Sequence, residues 1–142
     1  MNKIKSALDK REQREKEASQ RMRKQMLKQI TQEKRYNERL NKLCRFVDKF
    51  VREFKKELRS EKNCLFEIKS TIQDTENIGK KYSITLSLGK RWIANADISA
   101  LLDKDSFEYC ENASFVKSTK TLGPRLSSRL KKFFCKSIAG EN

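Results

Sequence analysis

Histidine is absent from all 142 residues, and proline occurs once, at Pro124. Without histidine the chain lacks the commonest general base, the usual activator of a nucleophile and the commonest zinc ligand, so most hydrolase constellations are excluded. Glycine is nearly as scarce. Gly79, Gly89, Gly123 and Gly140 are too scattered to build a loop that cradles a nucleotide phosphate. No apolar run approaches the roughly 20 residues that span a bilayer, and Met1 to Lys5 leads into charge rather than into a signal-peptide core. The expectation is a soluble, cytoplasmic protein. The four cysteines, Cys44, Cys64, Cys110 and Cys135, are too far apart for a metal knuckle and too few for a disulfide scaffold. They are expected to be reduced and mostly buried thiols, with no metal. Together these absences predict a protein that is not an enzyme and carries no cofactor.

What the chain has is positive charge and helical pattern. It holds 34 Lys and Arg against 19 Asp and Glu, a net +15. Residues 1–62 contain no Gly or Pro and hold 21 basic against 10 acidic side chains, a net +11. From Tyr36 the apolar positions Leu40, Leu43, Val47, Phe50 and Phe54 follow in steps of four and three, which is one stripe along a helix. Phe46 and Val51 widen that stripe, which suits packing on a sheet better than a coiled-coil seam. Upstream, Ile4, Leu8, Ala18, Met22, Met26 and Ile30 continue a weaker stripe, broken at Arg11 and Glu15. The stretch from Asp9 to Arg21 should therefore fray unless a partner covers it.

After Asn63 the period shortens to two. Phe66, Ile68 and Ile72 alternate with polar residues in a strand beginning near Cys64, and residues 73–80 read as a loop around Asp74, Asn77 and Gly79. Tyr82, Ile84, Leu86 and Leu88 form a second strand. Gly89-Lys90 has glycine where a type II′ turn requires it, so Trp92 to Ala96 should return antiparallel. Ser99 to Leu102 reads as a short helix, whereas residues 106–110 and 114–117 have a β-like pattern. Pro124 opens a last helix with Leu126, Leu130, Phe133, Phe134 and Ile138 on one face.

The fold expected is α+β: a long N-terminal amphipathic helix packed on an antiparallel meander of three or more strands, closed by a C-terminal amphipathic helix. Residues 1–35 are a basic helical extension, coiled-coil or frayed, and residues 36–139 a single small domain. Residues 140–142 are set aside as a tail or tag remnant.

Two groups of carboxylates invite a catalytic or metal reading. Glu67-Ile68-Lys69 has the acid-x-lysine form of metal-dependent nucleases, but no second carboxylate accompanies it on a strand. Asp97, Asp103, Asp105, Glu108 and Glu111 lack the spacing and central glycine of a calcium loop. They read as an acidic edge, free in solvent or docked on a basic helix. The order of helix, meander and helix is similar to that of double-stranded-RNA-binding domains. The residues depart from that family, because Thr119-Lys120-Thr121-Leu122-Gly123-Pro124-Arg125 lacks the glycine-lysine-serine-lysine cluster those domains place on phosphates.

Surface recognition remains. Lys24, Lys28, Arg35, Arg39, Lys42, Arg45, Lys49 and Arg52 lie on the polar side of the long helix, with Arg125, Arg129, Lys131 and Lys132 added by the last helix. Their expected partner is a polyanion, foremost a nucleic-acid backbone. The alternative is a cytoplasmic adaptor that contacts protein, or itself as a homodimer, through Met22, Met26 and Ile30. A version of that alternative lies near a membrane surface, with Phe133 and Phe134 among the lysines of the last helix.

Overall fold

The computed structural model describes residues 2–62, 64–75 and 79–141. The elements run α1 (Lys3–Ser60), β1 (Phe66–Thr75), β2 (Gly79–Leu88), β3 (Arg91–Leu101), β4 (Phe107–Glu111), β5 (Ser114–Thr119) and α2 (Pro124–Ala139). The architecture is α+β. The five strands form one antiparallel sheet in sequence order, β1-β2-β3-β4-β5, a meander in which each strand pairs with its neighbours in the chain. By contacts the chain divides into two compact units, Met1–Arg35 and Tyr36–Asn142.

In the first unit every described residue is exposed, including Asp9 to Arg21, which is helical throughout. Ile4, Leu8, Met22, Met26, Leu27 and Ile30 all stand in solvent.

The second unit is a two-layer sandwich of sheet and helices. One face of the sheet supplies Ile68, Tyr82, Ile84, Leu86, Ala94, Ala96, Ile98, Ala100, Phe107 and Tyr109 to the core. The alternation read in β2 is real, since a strand sends successive side chains to opposite faces. Leu43, Val47, Phe50, Val51 and Phe54 of α1 and Leu126, Leu130, Phe133 and Phe134 of α2 complete the same core. The two helices meet through aromatic rings: Phe134 lies 6.0 Å from Phe50, 5.9 Å from Phe54 and 5.1 Å from Phe133. Each side chain of this kind contributes about 1.5–3 kcal/mol when fully buried, so the cluster is a main source of stability.

The opposite face of the sheet is polar. Ser83 and Asp97 are both buried there, the Ser83 hydroxyl donating to the Asp97 carboxylate. Asn95 donates to both oxygens of Asp97 at 3.1 and 3.2 Å and accepts from Thr85 at 3.1 Å.

Four local expectations are corrected. Residues 99–101 continue β3 rather than forming a helix, because Ala100 buries in the core and pairs with Phe107 while Ser99 pairs with Glu108. The strands also run into the expected loop, to Thr75 and from Gly79, and the Asn77 part of that loop lies outside the described residues. Gly140 belongs to the fold, ending α2 in the left-handed conformation at φ 76° with its N–H on the carbonyls of Lys136 and Ser137. Finally, no described cysteine is buried: Cys44, Cys64 and Cys110 are half-buried and Cys135 is exposed.

Besides Gly89 and Gly140, positive φ occurs among the described residues at two further places, for different reasons. Gly79 (φ 134°) opens β2 so close to β3 that a Cβ would sit 2.1 Å from the Ala100 carbonyl oxygen. In the β4–β5 hairpin, Asn112 and Ala113 both adopt positive φ, 49° and 66°, which an alanine tolerates poorly. Gly79→Ala should therefore cost about 2–4 kcal/mol, and Ala113→Gly should add roughly 0.5–1 kcal/mol, both read by urea unfolding followed by circular dichroism.

Candidate nucleic-acid interface

The buried stripe of α1 decides where its cations point. At about 100° per residue, Lys42, Arg45, Lys49, Arg52 and Lys56 fall within an arc of about 80° centred opposite the Leu43–Phe54 stripe. All five are exposed, and none forms an ion pair among the described residues. The same turn count puts Arg39 near the buried stripe. Its side chain is 12% exposed, with the guanidinium 2.9 Å from Asp105, 2.7 Å from the Leu101 carbonyl and over the Tyr36 ring. The Tyr36 hydroxyl in turn accepts the Lys80 N–H at 2.8 Å. Arg39 thus ties α1 to the end of β3 and offers no free cation to a ligand.

On α2 the predicted cations divide in the same way. Arg129 makes a bidentate pair with Glu111 at 2.9 Å through both contacts, and Lys131 reaches Glu57 at 2.8 Å. Arg125 and Lys132 are exposed. Asp105 and Glu111 show the acidic edge partly docked on the basic helices. The rings of Phe133 and Phe134 lie in the core rather than on a surface that meets lipid. Lys24, Lys28 and Arg35 are exposed in the first unit, as are Met22, Met26 and Ile30.

Three of the predicted cations converge on a cavity. Lys42, Arg45 and Lys49 form one wall of a groove of about 720 Å³, and Lys120 in the β5–α2 connection stands among the lining residues. Phe46, Phe50, Phe107 and Leu122 supply its apolar lining, and Glu53 is its one acid. The start of α2, Gly123 to Ser127, borders the groove without a side-chain cap and with no acidic residue in its first turn. That end of the helix adds positive potential where orphan N–H groups lie. Farther along α1, Arg52, Lys55, Lys56 and Arg59 line a smaller hollow of about 370 Å³ beside Ser70.

Lys120, Lys55 and Arg59 are additions to the site that the charge pattern of the chain does not single out. Lys120 lies outside any periodic segment, and its one signal is its position just before the Gly123-Pro124 helix start. Glu67 and Lys69 lie 3.8 Å apart on the solvent side of β1, an exposed ion pair. No group of three or more His, Cys, Asp or Glu side chains suited to a metal is found among the described residues. Partial burial, with Asp97 and Glu108 nearby, raises the Cys110 thiol above its ordinary pKa and so disfavours the reactive thiolate.

No helix among the described residues is long and apolar enough to cross a membrane. Compared with known proteins, the chain matches no family model, no curated protein and no solved structure.

The Glu111 cluster gives a pH-dependent test of how α2 is held. Burial alone would raise this carboxyl, but hydrogen bonds from Arg129 and from Tyr109 (2.6 Å) outweigh it and hold its pKa below the usual 4.5. A depressed folded pKa contributes stability above the unfolded value, and that contribution is lost as pH falls through the folded one. Glu111→Gln should cost about 1–2 kcal/mol at pH 7, modest because Arg129 is half exposed, and the difference from wild type should shrink below about pH 4 in pH-dependent denaturation.

Proposed function

We propose that this protein is a non-catalytic binder of polyanions, nucleic-acid backbone foremost, through the outward face of α1 in its second unit. The observation that supports this most is the row of unpaired cations, Lys42, Arg45, Lys49, Arg52 and Lys56, held outward by burial of the opposite stripe. Charge left unpaired along one face repels itself, which disfavours the compact state unless an anion relieves it. Phosphates fit that need. Their binding releases condensed counterions, and the gain grows with the number of cations engaged.

About five such contacts predict an affinity that falls on the order of hundreds-fold between roughly 50 and 200 mM salt. Fluorescence anisotropy with a labelled oligonucleotide reads this directly. Reversing Lys42, Arg45 and Lys49 to Glu should remove most binding and flatten the salt dependence, with the circular dichroism spectrum unchanged. Unaltered binding by the triple variant would refute the assignment of this face. Arg39→Glu is the wrong probe, since it breaks the anchor to Leu101 and Asp105.

A second reading concerns the first unit, where Met22, Met26 and Ile30 are 63%, 59% and 58% exposed on a helix that buries nothing within its own unit. Helices of this kind gain most of their stability from a partner that covers the apolar positions. We assign this stripe to self-pairing or to contact with another helix. Sedimentation equilibrium at tens of micromolar should show a dimer that Met22→Ala with Met26→Ala converts to a monomer, while oligonucleotide binding persists. A wild-type monomer under those conditions would end the self-pairing reading.

A further inference from the structure

We infer that the groove between α1 and the β5–α2 connection takes a single-stranded stretch of nucleic acid, with phosphates on Lys42, Arg45, Lys49 and Lys120 and one unstacked base against Phe46. This rests on the polyanion reading above and specifies the form of the polyanion.

The groove differs from the rest of the cationic surface because it is concave and has an apolar floor. Its volume of about 720 Å³ falls within the roughly 300–1,000 Å³ typical of sites that enclose a small ligand. Three cations come from α1 and a fourth, Lys120, from a different segment, against Glu53 as the one acid. A complementary ligand therefore carries negative charge on its flanks and a flat apolar face between them. Duplex nucleic acid has its phosphates outside and its bases stacked within, so it can bridge the rim but bury nothing on the floor. A single strand presents both at once, since its unstacked bases are free to lie on aromatic rings beside the phosphates.

Phe46 is the ring suited to that contact. Phe50 and Phe107 are buried in the core, whereas Phe46 is packed only partly against it. Spacing along the wall agrees. Lys42 to Arg45 and Arg45 to Lys49 are about 4.5 and 6 Å apart along the helix axis at 1.5 Å per residue. A stacked strand of B-form DNA has one phosphate per about 3.4 Å of axis, so the wider steps fit a strand drawn out of its stack. The start of α2 adds its unopposed positive end to the same groove.

The test compares three labelled ligands by anisotropy: an oligothymidine of about twelve nucleotides, an abasic strand of the same length and charge, and a duplex. Wild-type protein should bind oligothymidine about five- to tenfold more tightly than the abasic strand, the size of one base-on-ring contact. Phe46→Leu, which keeps an apolar side chain at the groove, should remove that advantage and leave the abasic strand and the duplex unchanged. Lys120→Glu should weaken both single strands. Equal wild-type affinity for oligothymidine and abasic strand would overturn the inference while leaving polyanion binding intact. Displacement of oligothymidine by polyglutamate as effectively as by unlabelled oligothymidine at equal charge would overturn it in favour of an acidic protein segment. Failure of all three ligands to bind at about 50 mM salt would remove the polyanion reading itself. Should Phe46→Leu fold poorly by circular dichroism, the wild-type comparison of thymidine with abasic strand decides alone.

Discussion

Burial of one α1 stripe, Leu43 to Phe54, against the sheet and the Phe134 ring sets the rotation of that helix about its own axis. Everything proposed about the second unit depends on this packing. A helix that commits one side to a core has no choice about what its other side presents, and here the other side carries Lys42, Arg45, Lys49, Arg52 and Lys56. The apolar interaction thus positions charges it never touches. It also brings Phe46 to the edge of the core, where the connection before α2 passes and a groove remains between them.

Electrostatics then sorts the cations into two groups. Arg39, Arg129 and Lys131 meet Asp105, Glu111 and Glu57, and the first two also take part in hydrogen bonds that fasten helix to strand. The bidentate Arg129–Glu111 pair receives the Tyr109 hydroxyl as well, so a buried phenol, an acid and an arginine share one small network. Burial and the neighbouring carboxylate raise the Tyr109 pKa, which keeps its hydroxyl a donor at any ordinary pH. These contacts hold the second unit together locally. The cations without such partners are exposed to solvent, where their mutual repulsion is screened by salt and reduced further by a bound anion.

Much of the fold was legible because two strong periods were present. The four-three steps from Tyr36 to Phe54 and the alternation from Tyr82 to Leu88 each have a single structural reading, and both elements exist with those residues inward as far as Leu86, after which a shift in register leaves Leu88 half-buried. Residues 99–101 were harder, since Ser99-Ala100-Leu101 has no period of its own and is made a strand by pairing with residues 79–81 and 107–108. The cation face was legible in kind but not in membership. Counting 100° per residue separates Arg39 from Lys42, yet listing basic residues along the helix does not, and the pairing of Arg129 depends on a strand that reaches Glu111. The groove itself was hidden, because its two walls, Lys42 to Glu53 and Lys120 to Ser127, lie far apart in sequence and only the folded second unit joins them.

The most direct measurement of this account is a residue-resolved map of amide chemical shifts in the ¹⁵N-labelled full chain as oligothymidine is added. The largest changes should lie around Lys42, Arg45 and Lys49 on α1 and around Lys120 to Gly123, with the polar sheet face at Ser83, Asn95 and Asp97 unmoved. Changes centred on that sheet face, confined to the α2 surface at Lys132 and Lys136, or limited to residues before Tyr36 would contradict it.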